Sequence, residues 1–132
     1  MTTPPPPPPP PGPPPLEVSA ANIRNQDIDG WTIDVWSLIP SPFLFGEVSV
    51  QSANGEAIAE ADGEFDGAIV SVQVSLDRVT WRTAKKVDGS DAIFAGPDVI
   101  EVRANWPFMR FHADGGGVQQ SITATLARLS YV

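Results

Sequence analysis

The sequence predicts an all-β fold, either an antiparallel β-sandwich or a barrel-like domain, with an extended polyproline arm at the N-terminus. Three observations predict it. Eleven of the first 15 residues are Pro, short apolar stretches of period two follow, and turn-forming residues separate those stretches. We therefore divide the chain into an arm, residues 1–15, and a single β-sandwich domain, residues 16–132, which is long enough for one hydrophobic core.

The arm is a proline block, residues 4–15, interrupted only by Gly12. Proline lacks an N–H and fixes φ, so the block predicts polyproline II with a span of roughly 35 to 40 Å. A disordered tail and a ligand for SH3-like or WW domains are two interpretations. A third is an arm lying in a groove of a neighbouring subunit, where we expect the partner-binding residues Pro4, Pro8, Pro11, Pro15 and Leu16.

Strands are predicted where apolar and polar residues alternate along the sequence. In residues 68–76, Val70, Val72, Val74 and Leu76 alternate with polar residues, which predicts a strand with one buried face. Weaker alternation predicts strands at residues 31–35, 43–50, 99–103, 108–112 and 122–126, with Gly46 marking a bulge in the second of these. Residues 55–61 fit a short helix, a strand or a loop.

Turns are predicted where Gly supplies positive φ or Pro fixes it. These positions recur at roughly 8 to 12 residue spacing, as is typical of sandwiches and barrels. They are Asp29-Gly30, Pro40-Ser-Pro42, Asn54-Gly55, Asp62-Gly63, Asp66-Gly67, Asp88-Gly89, Gly96-Pro97 and residues 114–117.

Large aromatic side chains are expected to fill the core. Trp31, Trp36 and Trp81 lie in or beside predicted strands, which favours core packing. Prolines adjoin the segments that contain Phe43, Phe45, Trp106 and Phe108, so these segments fit an edge strand or loop. We predict that these four side chains contact a partner.

Charge is distributed unevenly along the chain. Residues 1–66 hold ten acids and one base, whereas residues 67–132 hold six acids and seven bases. Either a solvated, repulsive face or a docking surface for a basic partner explains the acidic half. A net charge of −8 disfavours nucleic-acid binding. The sequence has no apolar run long enough for a membrane helix and no signal-peptide pattern, so we expect neither insertion nor export by that route.

The residue inventory disfavours an enzyme. The chain has no Cys and one His, His112, which fits a strand-end residue with a structural hydrogen bond better than a catalytic base. Asn25-x-Asp27-x-Asp29-Gly30 matches the start of a calcium loop, but its twelfth position is Trp36, so a turn rich in Asx side chains is the alternative. We predict no metal and no cofactor.

Two further motifs fit loops. The triplet at residues 115–117 lacks the Lys-Ser/Thr and the helix start of a phosphate-binding loop, so it predicts a flexible hairpin loop. Ser75-Leu-Asp77-Arg-Val-Thr80-Trp81 resembles a shortened Asp-box without its Gly. That resemblance implies a strand-turn-strand in which Asp77 caps the turn and Trp81 packs beneath it.

Four motifs in a fixed order resemble small virion proteins of tailed bacteriophages. They are a Gly-x-Phe-x-Gly-Ala strand beginning at Gly63, a Gln-x-Ser-x-Asp turn ending in Thr80-Trp81, a Val-Arg-Ala strand ending at Ala104, and a Ser-Ile-x-Ala-x-Leu strand after the glycine loop. The similarity covers residues 63–128, about half the chain. Residues 1–62 have no counterpart in the pattern.

The resemblance implies a non-enzymatic phage virion component. The leading hypothesis is a capsid cement or decoration protein that binds and stabilises the major capsid protein lattice, located on the capsid surface and in the host cytoplasm during assembly. Neighbouring copies of the chain are further expected partners, in a trimer or another homo-oligomer. The alternative is a tail or head-fibre component that contacts host glycans through Trp106 and Phe108.

Overall fold

The computed structural model describes residues 2–9, 17–38, 44–49 and 55–129, and it confirms the all-β prediction. Eleven strands lie in these ranges, and none of the described residues is helical. The strands are β1 Val18–Ser19, β2 Asn22–Ile28, β3 Trp31–Leu38, β4 Leu44–Ser49, β5 Glu56–Glu64, β6 Ile69–Ser75, β7 Arg82–Thr83, β8 Ile93–Phe94, β9 Asp98–Arg103, β10 Phe108–Asp114 and β11 Ser121–Leu129.

The strands form two packed sheets, which confirms the sandwich. A six-stranded sheet has the order β1-β4-β10-β6-β7, with β8 also paired to β6, and a five-stranded sheet has the order β2-β3-β11-β5-β9. β1 pairs with β4 in parallel, and the other described pairings are antiparallel. The chain crosses repeatedly between sheets, so segments distant in sequence meet in one core.

Inward side chains from both sheets make that core. The rings of Trp36 on β3 and Phe111 on β10 lie 5.8 Å apart and are tilted by 59°. On β6 the predicted alternation is confirmed, because Val70, Val72 and Val74 are almost fully buried. The prediction that Leu76 is buried is wrong, since it lies beyond the end of β6 and is 71% exposed.

On β3 the predicted strand is confirmed, but the predicted buried face is wrong. Trp36 and Leu38 point into the core, and Trp31 and Ile33, with the opposite parity, lie on the outer side. The sequence pattern misleads because Val35, also on the outer side, is itself 8% exposed, so both faces of β3 are apolar at this point. Neighbouring strands and the opposite sheet, rather than alternation, select the face.

Gly46 does not form the predicted bulge. Residues 45–49 of β4 pair one-to-one with residues 112–108 of β10, and Gly46 stands opposite Phe111. A Cβ at Gly46 would lie only 2.5 to 2.7 Å from atoms of the Trp36 indole. The glycine is therefore explained by the close approach of Trp36 to the β4 backbone.

The predicted turns have mixed outcomes. Asp29-Gly30, Asp66-Gly67 and Asp88-Gly89 are confirmed as turns. Asp62-Gly63 is not a turn, because both residues continue β5 opposite β11. The Pro40 to Pro42 turn and Asn54 lie outside the described residues.

The triplet at residues 115–117 is not a hairpin loop. It joins β10 to β11, which belong to different sheets, so it crosses the end of the sandwich. Asp66 accepts hydrogen bonds there from the N–H of Gly117 through its carbonyl oxygen (3.1 Å) and from the N–H of Gln119 through its carboxylate (3.0 Å).

Asp34 is a buried polar residue on the same inward side of β3 as Trp36 and Leu38. Asp34 is 2% exposed and accepts hydrogen bonds from Nδ2 of Asn22 (3.1 Å), Nδ2 of Asn25 (2.5 Å) and Nη1 of Arg128 (3.0 Å). All seven residues of β2 are exposed, so these bonds, together with the ladder to β3, hold this edge strand in place.

The predicted arm is described only at residues 2–9, which are exposed and have no regular secondary structure. Pro11 and Pro15 lie outside the described residues, and polyproline II remains a prediction. No helix in the described ranges is both long and apolar enough to cross a membrane.

Replacement of Gly46 by Ala should destabilise the fold by about 1 to 3 kcal/mol, because the new methyl group overlaps the Trp36 ring. Urea unfolding followed by Trp fluorescence measures the change. Gly96→Ala is the matched control, since a Cβ there meets nothing within 4 Å. Equal stability of the two variants would contradict the packing argument.

Candidate partner-binding faces

The structure separates the residues that the sequence assigns to partner binding. Pro4 and Pro8 are exposed, whereas Pro11, Pro15, Leu16 and Phe43 lie outside the described residues. Phe45 and Phe108 are partly buried on the outer face of the six-stranded sheet. Trp106 precedes β10 and packs partly against the core. These residues therefore do not form one continuous surface among the described residues.

Phe45 contacts a buried arginine that sequence analysis did not single out. Arg110, on β10, is 5% exposed, and its guanidinium lies 4.9 Å from the centre of the Phe45 ring and 4.3 Å from that of Trp81. Its Nε donates to Oε1 of Gln73 at 2.7 Å. Trp81, predicted to fill the core, is instead partly exposed and stacks on this cation.

Glu17, the first described residue after the proline block, neutralises Arg110. The two Nη atoms of Arg110 donate to the two carboxylate oxygens of Glu17 at 2.9 and 3.1 Å, a bidentate ion pair. Ala20 then donates its N–H to the carbonyl of Phe45 at 2.6 Å. The segment that connects the arm to the domain is thus anchored on the six-stranded sheet.

A second arginine on this face, Arg78, also has partners within the chain. Arg78 forms an ion pair with Glu47, and its guanidinium lies 4.7 Å from the centre of the Phe108 ring. Each of these two arginines thus has both a carboxylate and an aromatic partner. Charges and rings on the outer face of the six-stranded sheet are largely matched within the chain.

His112 lies beside Glu17 on the same face. Its Nε2 is 3.2 Å from Oε1 of Glu17, but that buried nitrogen makes no hydrogen bond within the described structure, so the predicted structural bond is not found at this atom. Burial lowers the pKa of His112 below its usual 6.5, and the Arg110 charge lowers it further, while Glu17 and Asp114 act in the opposite direction.

The Asp-box-like turn matches its predicted geometry at Asp77. The carboxylate accepts hydrogen bonds from the backbone N–H groups of Thr80 and Val79, both at 2.9 Å, and from the Ser75 hydroxyl at 3.0 Å. These bonds lower the pKa of Asp77. Beside the turn lies a shallow cavity of about 260 Å³, lined by Leu76, Asp77, Thr80, Arg82 and Trp106.

The outer face of the five-stranded sheet, here called the acidic face, carries more exposed carboxylates than the outer face of the six-stranded sheet. The strand register places Ile33, Ala127, Ile58 and Glu101 in one row across the sheet, and Val35, Thr125, Glu60 and Val99 in the next. Apolar side chains therefore lie toward β3 and β11, and carboxylates follow β5 and β9. Its outward-facing acids are Glu56, Glu60, Asp62, Glu64 and Glu101.

The acidic face combines exposed apolar surface with negative charge. Ile58 is 37% exposed and Val99 is 55% exposed. Its arginines, Arg24 and Arg103, lie on the two edge strands, and Nη2 of Arg103 donates to the carbonyl of Val87 at 3.2 Å. This arrangement suits contact with a basic, partly apolar surface.

Two residues of the calcium-loop pattern, Asn25 and Asp27, form hydrogen bonds from β2 to β3. Asn25 and Asp27 belong to β2, where Asp27 accepts a hydrogen bond from the Thr32 hydroxyl at 2.7 Å, and Asp29 lies in the β2–β3 turn. Within the described ranges, His, Asp and Glu side chains do not gather in a group that could bind a metal ion. Only Asp29-Gly30 of this pattern forms a turn, and Asn25 and Asp27 lie in the preceding strand, so the predicted turn rich in Asx side chains is confined to these two residues.

Replacing Glu17 with Ala should loosen the segment after the arm, because Arg110 loses its carboxylate partner. We expect a loss of about 1 kcal/mol in stability, since Glu17 is 42% exposed, and faster hydrogen exchange at the Ala20 amide. Hydrogen exchange by NMR measures both effects. Glu60→Ala serves as the control, and unchanged Ala20 exchange would contradict the anchoring role.

His112 should make folding less stable as the pH falls. Its pKa is lower in the folded chain than in the unfolded chain, so protonation below the usual pKa of 6.5 favours unfolding. Between pH 7.5 and 5.5, the wild type should lose more stability than His112→Gln. Urea unfolding at both pH values tests this, and equal losses would show that His112 is not responsible.

Comparison with known proteins identifies no relative. No protein-family model matches the chain, and neither a curated protein nor a solved structure matches it.

Proposed function

We propose that this chain is a non-enzymatic virion component, a cement or decoration protein that binds the major capsid protein lattice of a tailed bacteriophage. The observation that carries the binding role is the acidic face, where exposed apolar side chains adjoin a row of carboxylates. The order of motifs in residues 63–128 supports the virion assignment. In this proposal the acidic face docks on a basic capsid surface.

The arm supplies the second contact. Glu17 is fixed to Arg110, so the preceding residues start from a defined point on the domain. A proline-rich segment loses little conformational entropy on docking, which favours binding in a groove of a neighbouring subunit. Two contacts on one chain raise the effective concentration of each at the lattice. Neighbouring copies of this chain, in a trimer or another homo-oligomer, are the additional partners proposed.

Binding to purified empty shells of the encoding phage tests the proposal. We expect stoichiometric binding, weaker attachment after removal of residues 1–15, and weaker attachment of Glu60→Gln/Asp62→Asn, with retained folding in each case. The difference in shell binding between the charge variant and the wild type should become smaller at high salt, because screening reduces the electrostatic contribution. Co-sedimentation with shells, together with circular dichroism, measures binding and folding.

Asp91→Asn/Asp114→Asn is the matched control, because it removes two carboxylates from outside the acidic face: Asp91 is bridged to Lys85, and Asp114 ends β10 of the six-stranded sheet. It should bind like the wild type. Wild-type binding by the truncated chain would contradict the role of the arm, and equal weakening by both double variants would contradict the role of the acidic face.

A tail or head-fibre component is the second candidate. The observation that favours it is the shallow cavity beside Trp106, where Asp77, Thr80 and Arg82 provide polar groups next to an indole ring. Such a combination suits a sugar ring. Failure to bind shells, together with a glycan-array signal that Trp106→Ala abolishes, would support this candidate over the first.

A further inference from the structure

A pocket of about 140 Å³ lies at one end of the acidic face. It is lined by Trp31, Glu56, Ala57, Ile58, Glu101 and Leu129. The strand register explains the grouping, because Trp31 pairs with Leu129 across β3 and β11, and Ile58 pairs with Glu101 across β5 and β9. An indole ring, an aliphatic floor and two carboxylates therefore meet in one small space.

This composition suits a cation on an aliphatic stem. An indole face attracts a cation. Carboxylates form charge-assisted hydrogen bonds to it, and Ile58 and Leu129 can cover methylene groups. Among the described residues, no Lys or Arg stacks on Trp31, and the carboxylate of Glu101 forms no ion pair.

The same chain shows which cation such a pocket would hold. On the six-stranded sheet, Arg110 lies between two aromatic rings and forms a bidentate pair with Glu17. A guanidinium is planar, so it can stack on an indole while its edges donate to carboxylates, whereas an ammonium is a compact, strongly hydrated charge. The Trp31 pocket offers a ring and carboxylates in a comparable combination.

We propose that the Trp31 pocket receives an arginine side chain of the protein partner. This inference rests on the proposed function and deepens it, because it assigns to the basic partner surface an arginine positioned over the β3–β11–β5 end of the acidic face. The arginine would stack on Trp31, place its methylene groups on Ile58 and Leu129, and donate to Glu101.

NMR titration of the full chain with Nα-acetyl-arginine methylamide tests the pocket directly. The Trp31 indole N–H and the Glu101 amide should shift and saturate at millimolar concentrations. The matched citrulline compound, which is neutral but similar in shape, should cause no saturating shift. Absence of saturation with the arginine compound, or equal shifts with citrulline, would overturn the proposal. Equal binding of the lysine compound would overturn the assignment to arginine.

Three substitutions test whether the arginine compound binds at the Trp31 pocket. Glu101→Gln should weaken arginine binding about fivefold, ~1 kcal/mol, while Glu64→Gln, with the same charge change on the same face, should leave it within about twofold. Trp31→Leu should abolish saturation. Equal weakening by the two Glu variants would show non-specific attraction and overturn the pocket, even if Trp31→Leu fails to fold.

Shell binding separates this inference from the proposed function. If the shells bind wild type and Glu101→Gln equally, the capsid role stands and the arginine pocket is rejected. If the arginine compound binds but shells do not, the pocket stands and the capsid role is rejected.

Discussion

The indole of Trp36 packs from the five-stranded sheet against Phe111 and the backbone of Gly46, which are paired on neighbouring strands of the six-stranded sheet. A large aromatic side chain buries more apolar area than any other residue in this core, and it reaches that position only because β4 has no side chain at Gly46. The contact brings β3 and β4 together, although these strands belong to different sheets. The orientation of β3, and hence which of its residues point outward, depends on it.

The two outer faces follow from that arrangement but differ in chemistry. On the six-stranded sheet, Arg110 and Arg78 each find a carboxylate and an aromatic ring within the chain. On the five-stranded sheet, Trp31 and Glu101 lie near each other without a described cation between them. The arginines of the six-stranded sheet have their partners within the chain, whereas the acidic face is suited to a cation from a partner. This difference is the reason for proposing the acidic face as the binding surface.

The connection between arm and domain depends on a few polar contacts. Glu17 pairs with Arg110 across the six-stranded sheet, and Asp34 holds the exposed strand β2 through Asn22 and Asn25. These contacts are charge-assisted, and each links the first 25 residues to strands that come later in the chain. Such links matter for β2 because this exposed edge strand buries little apolar surface of its own.

The sequence by itself determined the all-β class, the buried alternation of β6 and β11, and several Gly-containing turns, because these depend on local period and backbone preference. Only the tertiary structure decided that Trp81 stacks on Arg110, that Trp31 faces outward, and that Gly46 accommodates an indole. The pairing of Glu17 with Arg110 spans 93 residues. No local pattern encodes such a contact, since it arises from strands that the fold brings together after crossing between two sheets.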